Sequence, residues 1–229
     1  MKKLIKTFVI LMAISFTFCN ASFAQKKFRG IINYTIAYSG TIDAATAAQQ
    51  PKTMVLSIYD NKQKMNIPLG PVNIDIITDG DAKTQLTLLD IMGDKKYYKM
   101  TKEEMEKKIS ENPTPEIKYS EETKTIAGYV CKKAEYIEKN DDGTTNTTII
   151  YYTEELGGDA LNYGGQFNQL KGVPLEYVAT TADGIITTFT ASEVKKGKVK
   201  DTDFLIPSDY VELTPEEKQQ MIDQFKGKE

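Results

Sequence analysis

The sequence predicts an α+β fold that is mostly β, with about nine to eleven antiparallel strands and two helices. Three observations predict it. Apolar and polar residues alternate with a period of two from Lys27 onward, which is typical of strands that bury one face. Short turn-forming segments rich in Asp and Gly separate these runs. Two capping boxes mark the starts of the helices.

The first half of the sequence predicts a meander of consecutive hairpins. An opening strand is expected over residues 30–38, and alternation continues to Tyr98. Asp79-Gly80 predicts a tight type I′ hairpin, because Asp and Gly accept positive φ angles. Alternating apolar positions of this half are Met54, Leu56, Ile58, Met65, Ile67, Leu69, Val72, Ile74, Ile76, Leu86 and Leu88.

The two helices follow from their capping sequences. Thr101 and Glu104 form the first capping box, and Met105 and Ile109 continue it as an apolar stripe. Residues 214–217, Thr-Pro-Glu-Glu, repeat the signal near the C-terminus, with proline at the first helical position. Both segments are therefore predicted to be helices that pack on the sheet.

The second half returns to the strand pattern. Turns are predicted at Asp141-Asp142-Gly143 and at Asp183-Gly184. The strands of this half are expected over residues 118–127, 129–138, 146–152, 174–181 and 185–193. We therefore interpret residues 25–229 as a single domain with one sizeable core.

Residues 1–24 are predicted to be a signal peptide. A lysine-rich start precedes an apolar run over residues 8–18, and Ser22-Phe23-Ala24 ends in a small residue. The run is shorter than the roughly 20 residues that cross a bilayer. We expect cleavage after Ala24 and a periplasmic or secreted protein that does not span the membrane. Lipoprotein anchoring at Cys19 is disfavoured, because bulky Phe18 stands where a small residue is needed.

Composition excludes several classes of site. Histidine and tryptophan are absent, and Arg29 is the single arginine. No histidine is available for a nucleophile pair or an imidazole metal site. The negative net charge of −3 argues against a nucleic-acid partner. Cys131, the one cysteine beyond the leader, has no disulfide partner in the chain and is predicted to be a core residue. We expect no catalytic residue, no metal and no cofactor.

Three phrases carry a family resemblance. The run Ile-Ala-Gly-Tyr-Val-Cys-Lys-Lys-Ala at residues 126–134 resembles a recurrent phrase of exported bacterial proteins of unknown function. Residues 152–156 resemble their Y-T-x-E-L segment, and residues 170–177 resemble their G-x-P-L-E segment. The related GLPGLI-type proteins carry Gly-Leu-Pro there, whereas this chain has Val173 and no second glycine.

The resemblance covers residues 117–208 well and the first half loosely. It implies a relation to the lipoprotein-carrier (Lol-type) half-barrel, a strongly curved antiparallel sheet whose concave side is closed by one or two helices. Such a concave face is filled either by side chains or by a ligand. We therefore predict a non-enzymatic exported protein that binds a lipid, an acyl chain or a lipoprotein in the cell envelope. Predicted ligand-cavity residues are Ile74, Ile76, Leu86, Leu88, Met105, Ile109, Ile149 and Tyr151.

Two alternatives stay open on the sequence alone. One is an envelope scaffold or protein-interaction domain whose concave face is filled by its own side chains. The other is a carboxylate-based hydrolase, which needs two close acidic groups in an open cleft and one raised pKa. The interior volume separates the first alternative from a ligand carrier, and the placement of acidic side chains bears on the second.

Overall fold

The computed structural model describes residues 27–139, 143–181 and 184–226, with backbone alone over 221–226. The predicted signal peptide, its cleavage site after Ala24 and Cys19 lie outside the described residues. So do Asp141, Asp142 and Asp183 of the predicted turns.

Twelve strands form one open sheet in this part of the chain. In chain order they are β1 (Arg29–Gly40), β2 (Thr53–Tyr59), β3 (Lys62–Leu69), β4 (Val72–Asp79), β5 (Thr84–Ile91), β6 (Asp94–Met100), β7 (Glu116–Ile126), β8 (Tyr129–Lys139), β9 (Thr145–Thr153), β10 (Val173–Thr180), β11 (Ile185–Lys196) and β12 (Val211–Glu212). The helices are α1 (Ala44–Gln49), α2 (Lys102–Glu111) and α3 (Pro215–Lys226). Short 3₁₀ turns cover Glu154–Leu156, Asp159–Asn162 and Asp201–Phe204.

The strand order is β12-β6-β5-β4-β3-β2-β1-β11-β10-β9-β8-β7. Two meanders, β1 to β6 and β7 to β11, therefore join where β1 pairs with β11. All pairs are antiparallel except β12, which pairs parallel with β6 through two residues. The mostly-β, antiparallel prediction is confirmed. The strand number exceeds the predicted nine to eleven, since a two-residue strand such as β12 is too short to show alternation.

Both predicted capping boxes are present. The Thr101 backbone N–H donates to Glu104 Oε2 at 2.8 Å, and the Glu104 N–H donates to Thr101 Oγ1 at 3.3 Å. Thr214 and Glu217 repeat the arrangement at 2.8 and 3.2 Å. Helix α2 begins after β6, beside one edge of the sheet, and leads to β7 at the other edge. The connection over residues 101–115 therefore runs over one face of the sheet, where α2 contacts β5 and β6.

The turn at Asp79-Gly80 differs from the prediction. It is longer than two residues, and Lys83 rather than Gly80 takes the positive φ angle, at 58°. The Asp79 carboxylate accepts hydrogen bonds from the backbone N–H groups of Asp81 and Ala82, at 3.1 and 2.9 Å. Glycine is required at 80 for another reason: a Cβ there would lie 2.0 Å from the carbonyl oxygen of Ala160.

The sheet buries apolar residues on both faces. On the inner face, crossed by α2, the largest cluster includes Ile32, Leu56 and Leu175. On the outer face of β4 to β6, Ile77 and Leu88 pack under Val199 and Phe204 of the segment over residues 199–210. The Phe204 ring centroid lies 6.2 Å from that of Tyr59. The chain after β11 therefore acts as a cover for the outer face.

We expect Phe204→Ala to destabilise the fold by about 3 kcal/mol, because it empties the centre of the outer cluster. The matched control is Leu205→Ala, since Leu205 is 61% exposed and should change stability by less than about 0.5 kcal/mol. Urea unfolding followed by circular dichroism measures both. Equal losses in the two variants would contradict the assigned cover.

Candidate functional site

A cavity of about 1280 Å³ lies over the inner face of the sheet. Its floor comes from β1 to β6 through Tyr34, Leu56, Met65, Ile76, Thr87 and Tyr98. Tyr136 of β8 and Tyr177 of β10 form a wall. The roof consists of Lys108 and Ile109 of α2, the linker 112–115 and the loop 164–169. Strands from both meanders thus line one half-open space, which is consistent with a curved sheet.

The strand register decides which side chains face this cavity. Directly paired residues share a face, so β3, β4 and β5 present four inner rungs. The first rung is Gln63, Thr78 and Gln85; the second is Met65, Ile76 and Thr87; the third is Ile67, Ile74 and Leu89; the fourth is Leu69, Val72 and Ile91. The first two rungs line the cavity, and the others extend the same face toward the β3–β4 and β5–β6 turns.

Several predicted residues lie at the cavity. Ile76 lines its floor and Ile109 its roof. Ile74 lies on the same face, one rung beyond the lining. Met105 is fully buried against Gly164, which itself lines the roof. Contact between a ligand and these residues stays a prediction.

Leu86 and Leu88 do not face the cavity, and the prediction is corrected for both. They alternate with inner Gln85 and Thr87, and they pack in the outer cluster under Phe204. Alternation alone predicts that the apolar positions of β5 face inward, because no local sequence pattern announces a cover on the outer face. The segment over residues 199–210 makes the outer face of β5 a buried one.

Ile149 and Tyr151 also lie on the outer face. The Tyr151 hydroxyl donates to Glu122 Oε1 at 2.6 Å, and Ile149 pairs with Glu135. Ile150, between them, is the fully buried inner residue. The segment is apolar at both 149 and 150, so its composition alone left the orientation open.

The polar first rung and the cavity tyrosines were missed by sequence reasoning. The two-residue turn Gly70-Pro71 is the signal that could have found the rung, because it fixes Leu69 opposite Val72. That register places Gln63 opposite Thr78 on the same face as Met65. Tyr136 and Tyr177 had no comparable signal, since they approach the cavity from the second meander.

Close contacts and amide side chains fix the roof. A Cβ at Gly164 would lie 2.2 Å from Met105 Cε, and Gly164 has a φ of +62°. Asn162 Nδ2 donates to the carbonyl oxygens of Leu170 and Gly172 at 2.8 and 2.9 Å. Asn168 Oδ1 accepts from the Gly164 N–H at 3.1 Å. The loop is thereby shaped to receive Met105 of α2.

The charged groups of the lining lie on its exposed parts. They are Lys108 on α2 and Glu138 and Lys139 at the end of β8. Desolvation raises the pKa of Glu138. The floor strands contribute uncharged amides, hydroxyls and apolar groups. Within the described lining, Glu138 is the one acidic side chain.

Cys131 is fully buried, as predicted for a core residue. Burial raises the pKa of its thiol to about 11, so the thiol is protonated at neutral pH. No group of three acidic, cysteine or histidine side chains in the described ranges is arranged to hold a metal ion. No helix described in residues 27–226 has both the length and the apolar character that a bilayer span requires.

No protein-family model and no curated protein matches this chain. Among solved structures, it is similar to one described as "Crystal structure of putative outer membrane lipoprotein-sorting protein domain from Vibrio parahaemolyticus". The two chains are 8% identical, the match covers 76% of this chain and 89% of that chain, and the TM-score is 0.21. This likeness is too weak to assign a fold or a function to the present chain.

Gly164→Ala should lower the melting temperature by about 2–8 °C, because alanine is strained at a positive φ and its Cβ meets Met105. Gly165→Ala is the matched control. Its Cβ would lie 3.5 Å from the nearest atom, the Asn162 carbonyl oxygen, which is an ordinary contact. Differential scanning calorimetry compares the two. A larger loss at 165 than at 164 would contradict the described contact between α2 and the loop.

Alkaline pH should destabilise the fold through its buried tyrosines. Burial raises the pKa of Tyr136 and Tyr152 to about 12 and also raises those of Tyr34 and Tyr177. Their folded pKa values exceed the unfolded value of about 10, so the stabilisation is complete below about pH 10 and falls as pH rises toward 12.

Urea midpoints measured between about pH 8 and pH 11, together with tyrosinate absorbance, check this expectation. The absence of tryptophan keeps the absorbance signal specific to tyrosine. Tyr177→Phe removes one of the titrating groups and should make the pH dependence shallower. A urea midpoint that stays constant up to about pH 11 would refute this account.

Proposed function

We propose that this protein is a non-enzymatic, exported binding protein that carries a lipid, an acyl chain or a lipoprotein lipid in the cell envelope. The observation that carries the proposal is the cavity between the inner face of the sheet and α2. At about 1280 Å³ it exceeds the range of about 300–1,000 Å³ typical of small-molecule pockets. A long, flexible apolar molecule is a ligand that such a space can hold.

The inner rungs support an apolar ligand. Met65, Ile67, Ile74 and Ile76 lie on central strands, yet each is only half buried. Apolar side chains in the middle of a sheet are usually covered, and burial yields about 25 cal/mol per Å² of apolar surface. An acyl chain over these rungs would provide the missing cover.

The proposal also includes a half-barrel shape for the sheet and a location in the cell envelope. A sheet that lines one cavity from both meanders, with α2 across its inner face, fits a half-barrel closed by a helix. The predicted leader over residues 1–24 would deliver the mature domain to the periplasm or beyond. An envelope protein would then be a partner that supplies or accepts the ligand.

The alternatives receive less support. A scaffold with a self-filled interior is disfavoured by the open volume. A carboxylate-based hydrolase requires a pair of acidic groups, whereas Glu138 stands alone among the acidic side chains of the described lining. No specific observation favours either alternative over carriage.

A single introduced tryptophan tests the proposal, because the natural chain has none. Tyr98→Trp places the indole in the cavity floor, where a bound dibrominated stearic acid should quench its fluorescence. The protein is exported with its own leader, purified and freed of lipid before titration. Saturable quenching at about one ligand per chain is expected, because the cavity is a single site.

Tyr97→Trp is the matched control, because Tyr97 is the neighbouring residue on the outer face and packs beside the outer cluster. It should show no saturable quenching. Equal quenching in the two variants would indicate nonspecific surface binding, and an unquenched Tyr98→Trp variant would refute acyl-chain carriage in this cavity.

A further inference from the structure

The first inner rung has the character of a binding subsite rather than of core. We propose that Gln63, Thr78 and Gln85, with Thr87 of the second rung, bind an uncharged, hydroxyl-bearing polar group of the ligand. The ligand would thus be a neutral amphiphile, and its chain would run along the inner rungs toward the β3–β4 and β5–β6 turns. This inference rests on the proposed function, since it names the ligand class of the same cavity.

The four side chains are neighbours by register. Gln63 pairs with Thr78, and Thr78 pairs with Gln85. Thr87 lies two residues from Gln85 on the same face. All four line the cavity. Two amides and two hydroxyls therefore converge on one end of the floor, and each of these groups can both donate and accept hydrogen bonds.

None of these four side chains has a hydrogen-bond partner among the described side chains of residues 27–139, 143–181 and 184–220. Thr78 is 2% exposed and Thr87 is also buried, and both side chains border the cavity. Two other amides of the lining, Asn162 and Asn168, do have hydrogen-bond partners, and these bonds hold the roof loop together. Their polar atoms stay open to the cavity, because among the described residues the buried side-chain polar atom without a partner is the Tyr163 hydroxyl. A ligand group in the cavity would therefore replace water on these side chains.

The rung favours an uncharged partner. Its own side chains carry no charge, and the charged lining residues Lys108, Glu138 and Lys139 come from α2 and β8 rather than from the floor strands. Arg29, the single arginine, is occupied by Asp60 in a two-point contact at 2.9 Å. A carboxylate or phosphate over the first rung would lose hydration without gaining a cation.

The same face sets the direction of the chain. Polarity falls along the four rungs, from Gln63, Thr78 and Gln85 to Leu69, Val72 and Ile91. The distance from the first rung to the fourth is about 20 Å at the usual strand rise, and its second half lies beyond the cavity lining. At the far end Leu69, Ile91 and Met92 are 40%, 49% and 84% exposed. An apolar path thus leads from the polar subsite to the hairpin tips.

Three probes with the same oleoyl chain test this inference: monooleoylglycerol, methyl oleate and oleic acid. Each competes with a dansyl-labelled acyl chain on the full protein, exported and freed of lipid. Monooleoylglycerol should bind tightest, because only it combines hydroxyl groups with neutrality. Thr78→Val removes a hydroxyl at nearly constant shape. It should lower the affinity for monooleoylglycerol by about 2- to 10-fold and leave the affinity for methyl oleate unchanged.

Gln85→Met provides a second variant at the same rung and should shift selectivity in the same direction. Thr148→Val is the matched control: Thr148 is a buried threonine of β9 outside the cavity lining, and its replacement should leave all three affinities unchanged. If oleic acid binds tightest, the neutral ligand class is overturned, and Lys108 and Lys139 of the lining become the expected partners of its carboxylate. If Thr78→Val lowers the affinity for all three probes equally, the polar subsite is overturned, while binding of the acyl chain still stands. Failure of every probe to displace the label would overturn the proposed function itself.

Discussion

The connection that leads from β6 through α2 and the linker 112–115 to β7 is the constraint on which the rest of the structure depends. Since β6 and β7 lie near opposite edges, the connection between them must pass over the inner face. Met105 anchors that crossing by its contact with Gly164, where no other residue offers both the space and the positive φ. The cavity is the space that remains between the crossing helix and the sheet.

Once the crossing is fixed, the two faces of the sheet differ in what covers them. On the outer face of β4 to β6, Ile77 and Leu88 are packed under Val199 and Phe204 and form a core of their own. The inner face of the same strands borders the cavity, which α2, the linker 112–115 and the loop 164–169 roof over. Half-exposed Met65 and Ile76 on one face and buried Ile77 and Leu88 on the other follow from this difference.

The polarity of the inner face is organised by register. Uncharged polar groups converge at the first rung, and apolar groups follow on the later ones. Strand pairing therefore brings together side chains that are far apart in sequence, and the surface they form becomes less polar from the first rung to the fourth. The roof loop, held by Asn162 and Asn168, limits access to that surface without adding charge to it.

Local sequence determined the features that depend on neighbouring residues. Alternation predicted antiparallel strands, and the capping boxes at Thr101 and Thr214 predicted the starts of two helices, because these signals act within a few residues. Tertiary structure alone decided which face of each strand is inner. Leu86 was expected inside and lies outside, since the cover that buries it comes from residues 199–210, more than a hundred positions away. Gln63, Thr78 and Gln85 meet only through strand pairing, and for that reason no local pattern in the sequence announces them.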